Sequence, residues 1–119
     1  MKKKNIIKKN MDYQRIIQNN KPFRYKEFIL YKEKTEEQNY NFGFSVSKKI
    51  CNAVTRNKIR RQLKDILDQK DYQNGFNCII MVRKGILDIS YQIMKENLIY
   101  CLDKINVLKE NIDEENNKK

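Results

Sequence analysis

Residues 42–67 constrain the fold most, because their hydrophobic period changes from that of a strand to that of a helix. Phe42, Phe44 and Val46 alternate with glycine and serine, which is the period of a half-buried strand. Asn52 then stands where a helix can begin, since its side-chain oxygen can accept a free backbone N–H. The apolar residues that follow recur every three or four positions and form one helical stripe, namely Ile59, Leu63, Ile66 and Leu67. The sequence thus predicts a strand that leads directly into an amphipathic helix.

Basic residues of the same predicted helix form a strip beside the apolar stripe, at about 100° of rotation per residue. The strip consists of Arg56, Asn57, Arg60, Arg61 and Lys64, with Lys58 beyond its edge. Acidic residues are almost absent from it, and three of the chain's 6 arginines lie within residues 56–61, although the chain has 20 lysines. A guanidinium group can bind a phosphate through two hydrogen bonds or stack on a base. The pattern therefore favours contact with nucleic acid over a merely solvated basic face.

The overall charge also indicates an anionic partner. The 119 residues carry a formal net charge of +11, and the pI is near 9.6. A membrane is not the expected partner, because no apolar run approaches the roughly 18 residues of a spanning helix, and no apolar segment follows the basic N-terminus as in a signal peptide. The three cysteines form no CxxC pair and histidine is absent. We therefore expect no zinc site and a reducing, cytoplasmic location.

The periodicities of the whole chain predict one α+β domain in the order αββαβα, a small sheet with helices packed against it. Asn10 is the expected cap of the first helix, and Asp88 or Ser90 that of the last. The two strands that follow the first helix are expected to pair as a hairpin, and the apolar run FNCIIMV predicts a central strand. The first five elements are predicted over residues 10–19, 24–33, 40–47, 53–69 and 76–82. The domain spans residues 10–109, with a basic flexible tail at 1–9 and a polar tail at 110–119.

The sequence contains no convincing catalytic group of residues. It lacks histidine for general base catalysis and lacks GxSxG and phosphate-loop motifs. Its carboxylates fall in predicted turns, helix ends and tails, where no fixed set converges on a metal. Tyr13 and Tyr31 could border a cleft beside the sheet and stack on unpaired bases, at about 1–3 kcal/mol each, although the edge of an ordinary core explains them equally well. We therefore expect a nucleic-acid binder whose catalysis resides elsewhere.

The stretch GFSVSKKICNAVTRNKIRRQLKDIL closely resembles the pattern GxSVSKKxxNAVxRNxxKRxxR of the bacterial ribonuclease P protein subunit. The resemblance extends to KKNMDYQRII, FILY and CIIMVRKG, and covers roughly residues 7–108. It implies a protein that binds a large catalytic RNA and, with it, removes the 5′ leader of precursor tRNA. It also implies that this RNA holds the active site and the magnesium ions, so that the protein alone needs no catalytic residue and binds no metal. The implied fold is an α/β sandwich with a left-handed βαβ crossover, similar to a domain of a ribosomal small-subunit protein.

The resemblance assigns roles to individual residues. Contacts with the catalytic RNA fall on Lys48, Lys49, Arg56, Asn57, Lys58, Arg60, Arg61 and Lys64. The leader-binding cleft falls on Tyr13, Ile17, Tyr31 and Ser45, with Lys49 nearby. Tyr13 stands where the family usually has Phe, which keeps an aromatic face. Ile17 stands where an aromatic residue is common, so one stacking contact is expected to be lost.

Three other functions remain to be weighed against this one. A ribosomal or general RNA-binding protein would bind RNA without depending on a leader. A helix-turn-helix DNA binder would need a helix shortly before residue 53, where the sequence predicts a strand. A stand-alone nuclease would need metal ligands that the sequence does not supply. The expected partners are therefore the catalytic RNA and precursor tRNA, with no DNA and no membrane.

Overall fold

The computed structural model describes residues 1–109, in which three α-helices pack against a four-stranded sheet. Two short 3-10 helices, Lys3–Asn5 and Lys84–Asp88, accompany them. The tail predicted at residues 110–119 lies outside the described residues. The main elements in chain order are α1 (Asn10–Asn19), β1 (Phe23–Tyr25), β2 (Phe28–Lys34), β3 (Tyr40–Ser45), α2 (Ala53–Leu67), β4 (Phe76–Val82) and α3 (Tyr91–Lys104). The predicted α+β class is confirmed.

The strands lie in the order β1-β2-β4-β3. β2 is antiparallel to both β1 and β4, whereas β3 and β4 are parallel neighbours joined through α2. β4 thus occupies an interior position, as its continuous apolar sequence predicts, because such a strand must be covered on both faces. The left-handed sense of the β3–α2–β4 crossover stays a prediction.

The predicted hairpin between the second and third elements is wrong. The chain turns instead at Lys26, which has a φ of 52°, and the hairpin forms between β1 and β2 with Tyr25 opposite Phe28. β4 then lies between β2 and β3. The alternation of apolar residues defines which face of a strand is buried, but it does not define which strand is its neighbour.

The sheet is covered on both faces. α2 and α3 pack on one face against alternate residues of β4, including the fully buried Cys78 and Ile80. α1 packs on the other face, where Ile16 and Ile79 are fully buried and Tyr31 is half-buried. Because successive side chains of a strand point to opposite faces, the single run of β4 serves both layers.

Local capping explains where two of the helices begin. The Asn52 side chain accepts a hydrogen bond from the Thr55 N–H at 2.9 Å, and Ser90 accepts one from the Ile93 N–H at 3.2 Å, so both predicted caps are confirmed. Asn10 is not a cap but the first residue of α1, and the preceding Lys9 makes no side-chain capping bond.

Residues 5–7 lie along the outer edge of β3, which differs from the flexible tail predicted for residues 1–9. The Ile7 N–H donates to the Phe42 carbonyl at 2.8 Å, and the buried Asn5 side chain donates to the Tyr40 carbonyl at 2.6 Å. An edge strand offers unpaired backbone groups, and the segment satisfies some of them while burying Ile7.

An aromatic cluster joins the end of α2 to β3 and β4. Its members are Tyr40, Phe42, Tyr72 and Phe76, with ring centroids 5.0–6.4 Å apart. Tyr72 is buried, and its hydroxyl donates to the Leu67 carbonyl at 2.7 Å. Burial raises the pKa of Tyr72 far above its usual value, so the hydroxyl keeps its proton.

We expect Tyr72→Phe to lower the free energy of unfolding by about 1 kcal/mol, since it removes this one hydrogen bond. The loss stays moderate because the Leu67 carbonyl also accepts from the Lys70 N–H at 3.2 Å. Urea denaturation measures the difference, with Tyr100→Phe at an exposed tyrosine as the matched control. Equal stability of the Tyr72→Phe variant and the wild type would contradict the structural role of this hydroxyl.

Candidate nucleic-acid interface

The two sides of α2 differ as predicted. Its apolar stripe is buried, with Leu63, Ile66 and Leu67 fully so. Asn57, Lys58 and Arg61 are exposed, whereas Arg56, Arg60 and Lys64 are half-buried beside them. Packing of the stripe against the sheet therefore fixes the direction in which the basic strip faces.

The cations of α2 have no acidic partners within residues 1–109. Arg56 donates to the Cys51 carbonyl at 3.0 Å, and Arg60 donates to the Asn57 side-chain oxygen at 3.3 Å. The Lys64 ammonium lies 6.0 Å from the centroid of the Phe44 ring. None of these contacts neutralises a positive charge. Like charges on one helix face repel each other, and a polyanion would relieve that repulsion.

Lys48 and Lys49 extend the basic surface beyond the helix. Both are exposed in the turn between β3 and α2, and the Lys49 N–H donates to the Ser47 hydroxyl at 3.1 Å. They precede the N-terminus of α2, an end that itself favours negative charge. The predicted RNA contacts thus form one surface, consisting of α2 and this turn, which we call the basic surface.

A cleft of about 500 Å³ lies between α1, β3 and α2. We call it the Tyr13 cleft, and its lining residues are Lys8, Asn10, Tyr13, Gln14, Ile17, Phe44, Ser45, Val46 and Arg60. It brings together three of the four residues predicted for a leader cleft, and Arg60 links it to the basic surface.

Tyr31 does not line the Tyr13 cleft. On the sheet it pairs with Ile79 of β4, which in turn pairs with Gly43 of β3. Tyr31 is therefore two strands away from β3, or about 10 Å at the usual strand spacing. It packs beneath α1 in the cluster of Ile16 and Ile79.

Tyr13 is held in a defined position at the base of this cleft. Its hydroxyl oxygen accepts a hydrogen bond from the Phe44 N–H at 3.0 Å and lies 3.2 Å from the Ile7 carbonyl, to which it can donate. The ring stands over Gly43, where an added Cβ would lie 2.8 Å from the Tyr13 Cζ. Burial raises the pKa of Tyr13, although the Phe44 N–H and the Arg60 charge oppose that shift. The hydroxyl is thus neutral and ties α1 to β3.

Gly43 and Lys8 are functional candidates that the sequence did not reveal. The strand alternation puts Gly43 on the face opposite to Phe42 and Phe44, and a glycine inside a strand often marks the close approach of another group. That signal was present, but it did not identify Tyr13 as the approaching group. Lys8 lay in the segment predicted to be a flexible tail, and no sequence pattern placed it beside a cleft.

The described residues offer no evident metal site. Within residues 1–109, no group of three or more acidic, cysteine or histidine side chains is arranged to hold an ion. Cys78 and Cys101 are buried, and burial raises the pKa of Cys101 to about 12, so its thiol keeps the proton that a metal ligand must lose. Over the same residues, no helix has the length and apolar character needed to cross a bilayer.

Comparison with known proteins decides the family. The sequence model of the family Ribonuclease P matches residues 1–106. The chain belongs to the ribonuclease P protein family. It is 40% identical over 108 residues to the ribonuclease P protein component of Mycoplasma capricolum subsp. capricolum, covering 88% of this chain and 99% of that protein. It is 40% identical over 107 residues to the component of Bacillus cereus, covering 87% and 93%.

Solved ribonuclease P proteins share the fold. The Staphylococcus aureus protein superposes with a TM-score of 0.80 at 29% identity, covering 88% of this chain and 98% of that one. The Thermotoga maritima protein gives a TM-score of 0.72 at 21% identity, covering 78% and 90%, and supports the fold alone. The chain is therefore a protein component of a ribonuclease, with a subunit role in processing the 5′ end of tRNA. A general RNA-binding role is not favoured, and β3 stands where a helix-turn-helix protein would need a helix.

Proposed function

We propose that this ribonuclease P protein binds the catalytic RNA through the basic surface and holds the 5′ leader of precursor tRNA in the Tyr13 cleft. The observation that carries the proposal is the position of Arg60, which belongs to α2 and also lines the cleft. A leader strand that leaves the catalytic RNA at α2 would therefore reach the cleft directly. Precursor would be favoured over mature tRNA, because mature tRNA has no leader to occupy the cleft.

The basic surface acts by electrostatics in this proposal. Cations without acidic partners release counterions when they bind phosphates, so binding should weaken steeply with salt. Screening of phosphate repulsion between the two RNAs also lowers the magnesium concentration that cleavage needs. The active site and its magnesium belong to the catalytic RNA in this scheme, and the protein contributes position and charge. Its place of action is the cytoplasm.

The Tyr13 cleft offers the aromatic ring of Tyr13, the apolar side chain of Ile17 and the hydroxyl of Ser45, whereas Phe44 also lines it but is buried. Tyr13 can stack on an unpaired base whatever its identity, Ile17 adds apolar contact without a π-face, and Ser45 can donate to or accept from RNA. Tyr31, which the resemblance assigns to the cleft, would contribute indirectly, by packing against α1 and stabilising its position. The proposed leader contact is therefore tolerant of sequence and depends mainly on Tyr13.

The experiment that tests the proposal is a binding measurement on the reconstituted holoenzyme, formed with a bacterial ribonuclease P RNA. We expect Tyr13→Ala to lower the affinity for precursor tRNA by about 5- to 150-fold, the equivalent of one stacked base. Affinity for mature tRNA should not change. Tyr13→Phe keeps the ring and should keep most of the preference for precursor.

Two results would count against the leader site. One is that Tyr13→Ala weakens precursor and mature tRNA equally, which would mean that the cleft contacts the tRNA body or the catalytic RNA. The other is that the wild-type holoenzyme shows no preference for precursor over mature tRNA. Tyr100→Ala, at an exposed tyrosine that does not line the cleft, serves as the control.

A further inference from the structure

A second cleft of about 500 Å³ lies on the other side of α1. We call it the N-terminal cleft. Four lysines of the N-terminal segment line it, namely Lys3, Lys4, Lys8 and Lys9, and Asn41 and Asn77 of the sheet also contribute. The side-chain amides of these two asparagines lie 2.9 Å apart. The ordered path of residues 5–7 along β3 brings the lysines to this position.

The N-terminal cleft carries uncompensated positive charge. Within residues 1–109, none of its four lysines forms an ion pair with a carboxylate. Asp12 and Glu33 instead form ion pairs with Arg15, which donates to Asp12 at 2.7 Å and to both oxygens of Glu33 at 3.0 Å. These hydrogen bonds lower the pKa of Glu33, so the carboxylate stays ionised and paired. Of the two acidic residues that line the cleft, Asp12 is paired with Arg15, and Glu37 forms no ion pair within residues 1–109.

Lys8 lines both clefts. A continuous basic path therefore runs from Arg60 through the Tyr13 cleft to Lys8, and then around the start of α1 into the N-terminal cleft. Exposed side chains line both clefts, namely Lys8 and Asn10 in the Tyr13 cleft and Lys3, Lys4 and Lys9 in the N-terminal cleft, so a strand can reach both from solvent. Ammonium groups act as point charges that bind phosphates without selecting a base.

We propose that the N-terminal cleft is a second binding site for single-stranded RNA, which receives leader nucleotides upstream of those in the Tyr13 cleft. The inference rests on the proposed function, because the position of the catalytic RNA at α2 sets the direction of the strand. Nucleotides near the cut lie at Arg60, and nucleotides farther upstream pass Lys8. Longer leaders should therefore bind more tightly than short ones, independently of their sequence.

The test compares precursor tRNAs with leaders of about 4 and about 12 nucleotides, because grooves that bind single-stranded nucleic acid hold about 4–16 nucleotides. The holoenzyme is reconstituted with wild-type protein or with Lys3→Gln/Lys4→Gln/Lys9→Gln. We expect the variant to bind the long-leader precursor about tenfold more weakly, with a salt dependence shallower by about 2 units for three lost phosphates on a single strand. Binding of the short-leader precursor should match the wild type.

The matched control is Lys21→Gln/Lys84→Gln/Lys104→Gln, which removes the same charge at exposed positions that line neither cleft. The control variant should still bind the long-leader precursor more tightly than the short-leader precursor. Three results would overturn the second site: equal affinity of the wild type for both leaders, an equal loss in the control, or a loss in the lysine variant that is the same for both leaders. The last would show that these lysines contact the catalytic RNA or tRNA body. If the proposed function itself were wrong, the result would be different: wild-type holoenzyme would not bind even the short-leader precursor more tightly than mature tRNA.

Discussion

Replacement of three arginines of α2 should abolish nearly all stimulation of precursor cleavage at low magnesium. The variant is Arg56→Ala/Arg60→Ala/Arg61→Ala. Each guanidinium can make charge-assisted hydrogen bonds to phosphate, at about 1.5–3 kcal/mol each, so the affinity for the catalytic RNA should fall on the order of a hundredfold or more. The salt dependence of binding should become shallower by about one unit for each lost contact. Filter binding and multiple-turnover cleavage measure the two effects.

Two further variants separate position, charge and shape. Arg24→Ala/Arg83→Ala/Lys84→Ala removes the same charge from exposed residues outside α2 and should preserve stimulation. Substitution of the three α2 arginines by lysine keeps the charge but loses the planar fork, and should give an intermediate result. Because the buried stripe of α2 is unchanged, all variants should unfold at similar temperatures. Normal stimulation by the triple-alanine variant would show that the basic surface does not bind the catalytic RNA.

The second large effect is expected from one methyl group at Gly43. In Gly43→Ala the added Cβ would lie 2.7 Å from the Tyr13 hydroxyl and 2.8 Å from its Cζ, closer than real contacts allow. Tyr13 must therefore shift, which strains its hydrogen bond with the Phe44 N–H. We expect the preference for precursor over mature tRNA to be lost, and the free energy of unfolding to fall by about 1–3 kcal/mol. Urea denaturation and holoenzyme binding measure the two losses.

A double variant tests whether the clash acts through Tyr13. Tyr13→Ala/Gly43→Ala removes the obstructing ring, so it should be more stable than additive losses would predict, but it should not regain the preference for precursor. Gly85→Ala is the control, because its Cβ would meet only the flexible Glu27 side chain, at 3.3 Å. If Gly43→Ala matched the wild type in stability and in preference, Tyr13 would not be fixed over β3 as described.

Several features encoded locally in the sequence were predicted correctly, although the Asn10 cap was not. The period of residues 76–82 defined β4, and the stripe of α2 with its Asn52 cap defined the helix that carries the basic strip. The direction of that strip followed from helical geometry alone, since burial of one side leaves the other exposed. The cap at Ser90 is equally local.

Features that depend on contacts distant in sequence were not predicted. The strand order was missed because alternation does not identify neighbours. The turn at Lys26 is local, but it was missed because no glycine marks its positive φ. The Tyr13 cleft depends on where α1 packs across the sheet and on the approach of Lys8, which no local pattern encodes. The same strand order moves Tyr31 away from the cleft that resemblance assigned to it.

The most direct measurement is cleavage of a leader-bearing precursor tRNA by a bacterial ribonuclease P RNA at low magnesium, with and without this protein. We expect strong stimulation by the wild-type protein and a clear preference for precursor over mature tRNA in the same preparation. An absence of stimulation, while the protein still binds RNA with undiminished affinity, would contradict the proposal that it joins the catalytic RNA and the leader.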